Sequence, residues 1–249
     1  MTTSRGRVRV EQGHKRVRVY LAGEVVADTT RPTYVWEIPY YPAYYIPVAD
    51  VRADLLAPDG EVAHSPSRGD GQLYTVKAGG RQATGAALRY PDSPIEELRE
   101  LVRFEWGAMD AWFEEDEEVF THPRDPYSRV DVLPSSRRIR VEVAGETVAE
   151  SDHPHLLFET GLPVRYYLPK VDVRMDLLVE TDTVTHCPYK GQARYWSVRA
   201  GGELHKDIAW SYPYPLPESI RAAGLVAFYN EKVDTYVDGV LQERPDTHF

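Results

Sequence analysis

The chain has 249 residues, 42% of them apolar and 11% aromatic, with 29 basic against 39 acidic side chains. That is material for two cores of ordinary size and excludes a chain disordered throughout. The net charge of −10 removes the attraction on which non-specific nucleic-acid binding rests, and the lone cysteine, Cys187, excludes an intrachain disulfide and a cysteine-ligated zinc ribbon.

Residues 1–16 read as an N-terminal arm in which Arg5, Arg7, Arg9, Lys15 and Arg16 cluster. Solvation explains these cations more simply than a nucleic-acid site does. The arm lacks the apolar stretch of a signal peptide, and no later run approaches the ~18 apolar residues of a membrane span. Without disulfides the chain suits a reducing compartment. A cytoplasmic protein is therefore expected, with neither membrane nor nucleic acid as partner; monomer and dimer are equally compatible with the sequence.

From residue 17 to 121 the pattern is β-rich. Val17–Leu21 alternates, turns at Ala22-Gly23 and returns through Val25-Val26, a hairpin signal. Pro94–Leu101 is the best helix candidate, with an early proline, acidic residues in its first turn and apolar spacing of three and four. The run Glu114-Glu115-Asp116-Glu117-Glu118 repels itself and points to an exposed loop; a cation site would need oxygens converging from a turn. Prolines in residues 122–138 forbid a helix and read as an extended linker. In residues 139–249, Tyr195–Val198, a Gly201-Gly202 turn and Ile208–Trp210 give another hairpin signal. A shorter helix falls near Pro217–Ala223, and Leu225–Tyr229 with Val233–Val237 fits a third strand pair. Asp172–Leu178 suits either a strand or one helical turn.

Displaced by 122 residues, the chain matches itself without a gap from Val17 to Pro91, identical at 29 of 75 positions. Ala22-Gly23-Glu24 falls on Ala144-Gly145-Glu146, Tyr44-Tyr45 on Tyr166-Tyr167, and Ala78-Gly79-Gly80 on Ala200-Gly201-Gly202. A two-residue shift follows, after which Phe104 meets Phe228. Two copies are too few for a solenoid. The expected fold is mainly β: two tandem copies of a small antiparallel β unit, each with one short helix, related by a pseudo-two-fold axis.

Duplication supplies an internal control, because features kept in both copies are most simply fold determinants. Asp50/Asp54 and Asp172/Asp176 recur, each pair enclosing an arginine, and salt bridges or turn capping explain them better than a cation site. The sharpest difference is Cys187-Pro188-Tyr189-Lys190-Gly191 against Ser65-Pro66-Ser67-Arg68-Gly69. The turn-setting Pro and Gly are kept and the reactive residue types are not. Cys187 beside Lys190 and His186 fits an activated thiolate, a nucleophile or redox centre; a small buried residue at a turn fits as well. Aromatics accumulate in the second copy: Tyr195, Trp196 and Trp210 replace Leu73, Tyr74 and Leu88, and Tyr189 and Tyr214 have no aromatic counterpart. They suit a pocket for a flat or cationic ligand, or a core. Arg165, at the end of the loop that begins at Glu159 and just before Tyr166, could hold a carboxylate or phosphate, or join a surface ion pair. His153, His155, His186 and Cys187 have no tight ligand spacing, so no metal is expected. Walker-type and dinucleotide glycine motifs, and the Gly-x-Ser-x-Gly elbow, are absent, and no cofactor is indicated.

Thr185–Trp196 resembles the signature of the family known as domain of unknown function 427 (DUF427). Trp210-Ser211-Tyr212-Pro213 and Val226–Glu231 are similar to its downstream blocks, and Phe104–Trp112, His122–Tyr127 and Glu159–Tyr167 to blocks of its two-copy members. The resemblance implies an all-β unit similar to the Mss4-like, or β-tent, class, here in a metal-free version. A nucleotidyltransferase label attached to the family has no nucleotide-binding motif in this chain to support it. The functional expectation is a small-molecule site in the second copy centred on Cys187, with Lys190 and His186 activating the thiol. Tyr189, Tyr195, Trp196, Trp210, Arg165, Tyr166 and Glu159 would shape it. It would serve a thiol-dependent enzyme or, alternatively, a non-catalytic binding module; a structural or partner-binding protein is the third possibility.

Overall fold

A computed structural model describes residues 8–247 and divides the chain into two compact units, Met1–Asp125 and Pro126–Phe249. The first contains β1 (Arg9–Gln12), β2 (Val17–Leu21), β3 (Glu24–Thr29), β4 (Thr33–Trp36), β5 (Ala43–Pro47) and β6 (Leu56–Ser65). It continues through β7 (Gly69–Ala78), β8 (Arg81–Arg89), β9 (Leu101–Phe104), β10 (Ala111–Glu114) and β11 (Glu117–Glu118). The second contains β12 (Val130–Pro134), β13 (Ile139–Val143), β14 (Glu146–Ser151), β15 (His155–Glu159), β16 (Arg165–Leu168) and β17 (Leu178–Cys187). It ends with β18 (Gly191–Ala200), β19 (Glu203–Ser211), β20 (Val226–Phe228), β21 (Asp234–Val237) and β22 (Val240–Leu241).

Each unit is a pair of antiparallel sheets. The seven-stranded sheets run β1-β4-β5-β9-β8-β7-β6 and β12-β15-β16-β20-β19-β18-β17, and the four-stranded ones β11-β10-β2-β3 and β14-β13-β21-β22. The hairpins expected from Val17 to Val26 and from Tyr195 to Trp210 are β2/β3 and β18/β19. The third expected pair is corrected. Both strands exist, but β20 joins the large sheet beside β16 and β19 while β21 joins the small one beside β13, so Tyr229–Val233 crosses between sheets.

Helical content is limited to 3-10 turns among the described residues. The helix expected over Pro94–Leu101 shrinks to Glu96–Leu98, because Leu101 already starts β9; its counterpart, Pro217–Ala222, is the longer of the two. Asp172–Leu178 resolves into the end of one 3-10 turn, a bridge from Val173 to Ala149, and a second turn at Met175–Leu177. Arg9–Gln12, assigned from sequence to the arm, is an edge strand, and Val130–Pro134, assigned to the linker, is its counterpart. Arg5 and Arg7 lie outside the described residues. The acidic run is corrected from a loop to a hairpin end: Glu114 is only 4% exposed and takes hydrogen bonds from Tyr44 Oη and Lys15 Nζ. Burial and that carboxylate charge push the Tyr34 phenol up to about 12. No described helix is long and apolar enough to cross a membrane.

Strand alternation gives the large sheet two buried faces. The inner face meets the small sheet: Val17, Val19, Leu21 and Val26 pack on Tyr44, Ile46, Val76 and Phe104 in the first unit. Ile139, Val141, Val143 and Val148 pack on Leu168, Val198 and Phe228 in the second. The outer face carries a separate cluster, Val35, Tyr45, Leu88, Tyr90 and Leu98 in one unit and Leu157, Tyr167, Trp210, Tyr212 and Ala222 in the other.

The duplicated Ala-Gly and Gly-Gly blocks touch each other across the inner interface. Gly79 and Gly201 have φ of 52° and 61°, and a Cβ on them would stand 2.6 Å and 2.7 Å from the Ala22 and Ala144 Cβ atoms. Gly79→Ala and Gly201→Ala should therefore each destabilise by about 2–3 kcal/mol, combining left-handed strain with overpacking. Gly80→Ala, at φ 78° but facing open space, should cost about 1 kcal/mol. Urea denaturation of the three variants checks this order.

Candidate functional site

The outer face of the second unit's large sheet gathers most of the chemistry. Glu159 closes β15 and Lys190 sits in the turn joining β17 to β18. The Lys190 ammonium donates to Glu159 Oε2, with the two side chains 12% and 7% exposed. The turn is held by Lys190 N–H on the Cys187 carbonyl at 3.3 Å, and the Lys190 carbonyl accepts from Leu216 N–H at 3.2 Å. Gly191, at φ 93°, lets the chain pass beneath Tyr214 and Leu216.

Beside this pair lies a phenol and indole cluster. Trp210 Nε1 donates to Tyr167 Oη at 3.2 Å, and the Trp210 and Tyr229 rings lie 4.5 Å apart. Tyr195 Oη is 2.9 Å from Thr185 Oγ1 and 3.3 Å from Tyr229 Oη. Arg165 forks onto Glu231 with two bonds of 2.6 Å while its guanidinium lies 5.7 Å from the Trp210 ring centroid and 5.9 Å from that of Tyr229. Such bidentate pairs are strong and directional.

Burial pushes the Tyr167 phenol up, the Trp210 hydrogen bond works against it, and the neighbouring Glu159 and Cys187 add to the rise. Tyr212 is raised well above its ordinary value, first by burial and then by Tyr167, Cys187, Tyr195 and Glu159. Cys187, half-buried, thus shares its surroundings with two buried phenols and the Glu159 carboxylate. Tyr229 rises through burial and its bond with Tyr195. For Glu231 burial works upward, but hydrogen bonds from Arg165, its own N–H and Thr247 outweigh it and hold the carboxyl below 4.5.

Of the residues singled out by sequence, Cys187, Lys190, Glu159, Arg165, Tyr195 and Trp210 come together. The others do not. Alternation turns His186 away from Cys187 onto the exposed side of β17, where its Nε2 is 3.1 Å from Gln192 Nε2. Tyr166 and Trp196 face the inner core, with Lys170 Nζ 5.5 Å from the Trp196 ring centroid. Tyr189 is half-buried and its carbonyl accepts from Ser219 Oγ at 3.4 Å, while Tyr214 is 92% exposed. His153 is exposed beside Asp152, and His155 Nδ1 is buried without a hydrogen-bond partner. Among the described residues no three His, Cys, Asp or Glu side chains converge as metal ligands. The Asp pairs are structural: Asp172 accepts from Ser151 Oγ at 2.6 Å and Asp176 pairs with Arg174 at 2.7 Å, with Asp50 and Asp54 arranged alike.

Sequence reasoning passed over Tyr167, Tyr212, Tyr229, Glu231 and Thr185. Tyr167 and Tyr212 have tyrosine counterparts, Tyr45 and Tyr90, so a comparison of the copies classes them as scaffold. Glu231 carried a signal, since it ends a block that the family resemblance rests on.

The fold and site define a two-repeat, all-β protein with an ionic and aromatic cluster on an outer sheet face. The chain belongs to the family described as Domain of unknown function (DUF427), whose model matches residues 9–115 and again 131–239. No curated protein matches the chain.

Two predictions follow from the ion pairs. Removing one partner of a buried pair strands the other charge, so Glu159→Gln should lower stability by about 3 kcal/mol. Adding Lys190→Met should recover most of that loss, as urea denaturation would read. The Glu231 carboxyl is held below its unfolded value, so its contribution is complete above about pH 4.5 and lost as pH falls through the folded value. The stability gap between wild type and Glu231→Gln should therefore narrow progressively as the pH is lowered from 6 through 4.5 and below.

Proposed function

We propose that the second repeat holds a small-molecule site centred on Cys187 and that the thiol acts there as nucleophile or redox centre. One observation carries this. On the outer sheet face the second repeat has Thr185, Cys187, Tyr195, Trp210 and Arg165 where the first has Ala63, Ser65, Leu73, Leu88 and Ala43. The first repeat folds into the same sheet pair without them, so the scaffold does not need these groups. A buried ion pair is also a poor source of stability compared with apolar packing, which favours a chemical use for Glu159–Lys190 and Arg165–Glu231.

In this reading Cys187 meets the ligand at the edge of the buried Tyr195, Trp210 and Tyr212 cluster, and the half-buried Tyr229 provides a flat surface. The Lys190 ammonium is held by Glu159, and with His186 on the far face the thiol's surroundings are phenols and a carboxylate. A lone thiol that must stay reduced suits the cytoplasm. A relation to the Mss4-like class belongs to this reading and by itself carries no activity.

The test is alkylation of the native chain by iodoacetamide at pH 7, followed by intact mass. Rapid single labelling at Cys187, absent in Cys187→Ser, is the expected result; labelling only in unfolding urea would sink the proposal. The second possibility, a non-catalytic binding module, is favoured by Ser65 at the matching position of the first repeat. It predicts that Cys187→Ser retains the affinity for a ligand identified by thermal-shift screening.

A further inference from the structure

The first repeat has rebuilt the ionic frame of this site from different sequence positions. Glu37 matches Glu159, and Arg68 stands where Lys190 does, 3.4 Å from Glu37. The Arg165–Glu231 pair has no direct counterpart, because Ala43 and Gly107 occupy those positions. In its place Arg103, paired with Tyr45 across β9 and β5, lies 3.2 Å from Glu37 and donates to Glu105 at 2.9 Å. Their own counterparts in the second repeat are Ala227 and Tyr229. Each repeat thus places a second guanidinium on the same sheet face, from a different strand.

The rebuilt frame also has unused binding capacity. Glu37 Oε1 takes the Tyr45 hydroxyl at 2.5 Å, and both arginines approach that same oxygen at distances long for a charge-assisted bond. Arg103 Nε is buried and, although within ion-pair distance of Glu37, forms no hydrogen bond of acceptable geometry. Arg68 and Arg103 are 15% and 23% exposed and share one buried carboxylate, while the second carboxylate, Glu105, is 54% exposed. The shielded part of the site therefore has one positive charge in excess. Beside it on the same face is a cleft of about 560 Å³ lined by residues including Arg9, Ser67, Ile95 and Glu97. Ser67 belongs to the turn that carries Arg68. That volume suits a small organic molecule.

We propose that the first repeat is a second, thiol-free ligand site that takes the carboxylate group of a small organic acid between Arg68 and Arg103. A single negative charge matches the excess, whereas a phosphate dianion would stand against Glu37. The exposed Glu105 carboxylate on Arg103 occupies part of the place the ligand would take, as an internal stand-in that can swing away. With Ser65 at the cysteine position, the site binds without thiol chemistry. The inference rests on the first repeat's own geometry and does not depend on Cys187 being reactive.

The test uses the full chain, with acetate and succinate as probes and inorganic phosphate and chloride as comparisons at equal ionic strength. Calorimetric titration and the thermal midpoint are both read. A saturable response to a carboxylate but not to chloride is expected, with affinity weakened about tenfold or more in Arg103→Gln. Glu105→Gln, which removes the stand-in at the surface, should bind more tightly than wild type, and it serves if Arg103→Gln fails to fold. No saturable carboxylate response, or one unchanged in both variants, overturns the proposal; so does preferential binding of phosphate.

Discussion

Everything distinctive in this chain follows from one constraint: the large sheet of each repeat has two covered faces, and only one of them must fit another sheet. A strand's side chains alternate between faces, so every residue of β5, β7, β8 and β9 belongs to one regime or the other. The inner face is bound by packing against the four-stranded sheet, where an added or removed methylene is felt directly. The pairs there barely change between repeats: Val19 and Val141, Ile46 and Leu168, Val76 and Val198, Phe104 and Phe228. On the outer face Leu88 becomes Trp210, Leu73 becomes Tyr195, Ala63 becomes Thr185 and Ala43 becomes Arg165. The sheet pair supports this divergence because the outer cluster stabilises each unit without fixing its register against a second sheet.

The same alternation explains what could be read without a structure. The repeat, the mainly β class and two hairpins were legible because each rests on local pattern or on self-similarity. The fate of Leu225–Tyr229 and Val233–Val237 was not. Two apolar runs separated by Asn230-Glu231-Lys232 look like a hairpin, and only the competition among β16, β19 and β13 for partners sends them to different sheets. Likewise Tyr195 and Trp196 are neighbours in sequence and both aromatic, in place of Leu73 and Tyr74 in the first copy. One faces the cluster and the other the inner core, and a single-residue register choice separates them. His186 fell to the same rule, being one residue from Cys187 and therefore on the other side of the strand.

Comparison of the copies was informative for a different reason than expected. Treating shared residues as scaffold removed the aspartate pairs, of which Asp54 and Asp176 pair with an arginine two residues away and Asp50 and Asp172 accept from the Thr29 and Ser151 hydroxyls. It also discarded Tyr167 and Tyr212, which stand with Cys187, because Tyr45 and Tyr90 stand in the same places beside Glu37 and Arg68. The criterion fails where both copies keep a site. The buried phenols and the carboxylate are shared, while the thiol and the indole are not, so the copies differ in the groups laid over a common polar base.

That base constrains how such a site can change. Glu37 and Glu159 each sit at the end of the strand that pairs with the tyrosine strand, and each needs a cation from the β6–β7 or β17–β18 turn, because an unpaired buried carboxylate is far more costly than a paired one. Lysine and arginine both meet this requirement, but not equivalently. Lys190 is a point charge that Glu159 absorbs. Arg68 has a fork, and it spends one arm on Glu37 and its Nε on the Tyr90 hydroxyl at 3.3 Å. The second guanidinium then differs in kind as well. Arg165 is matched by Glu231 through two bonds and lies over Trp210 and Tyr229, whereas Arg103 pairs with the half-exposed Glu105 and reaches the shared Glu37 at 3.2 Å. One repeat closes its second guanidinium on a bidentate carboxylate beside an indole; the other keeps the two buried phenols, has leucine in place of the indole, and leaves its second guanidinium with longer contacts.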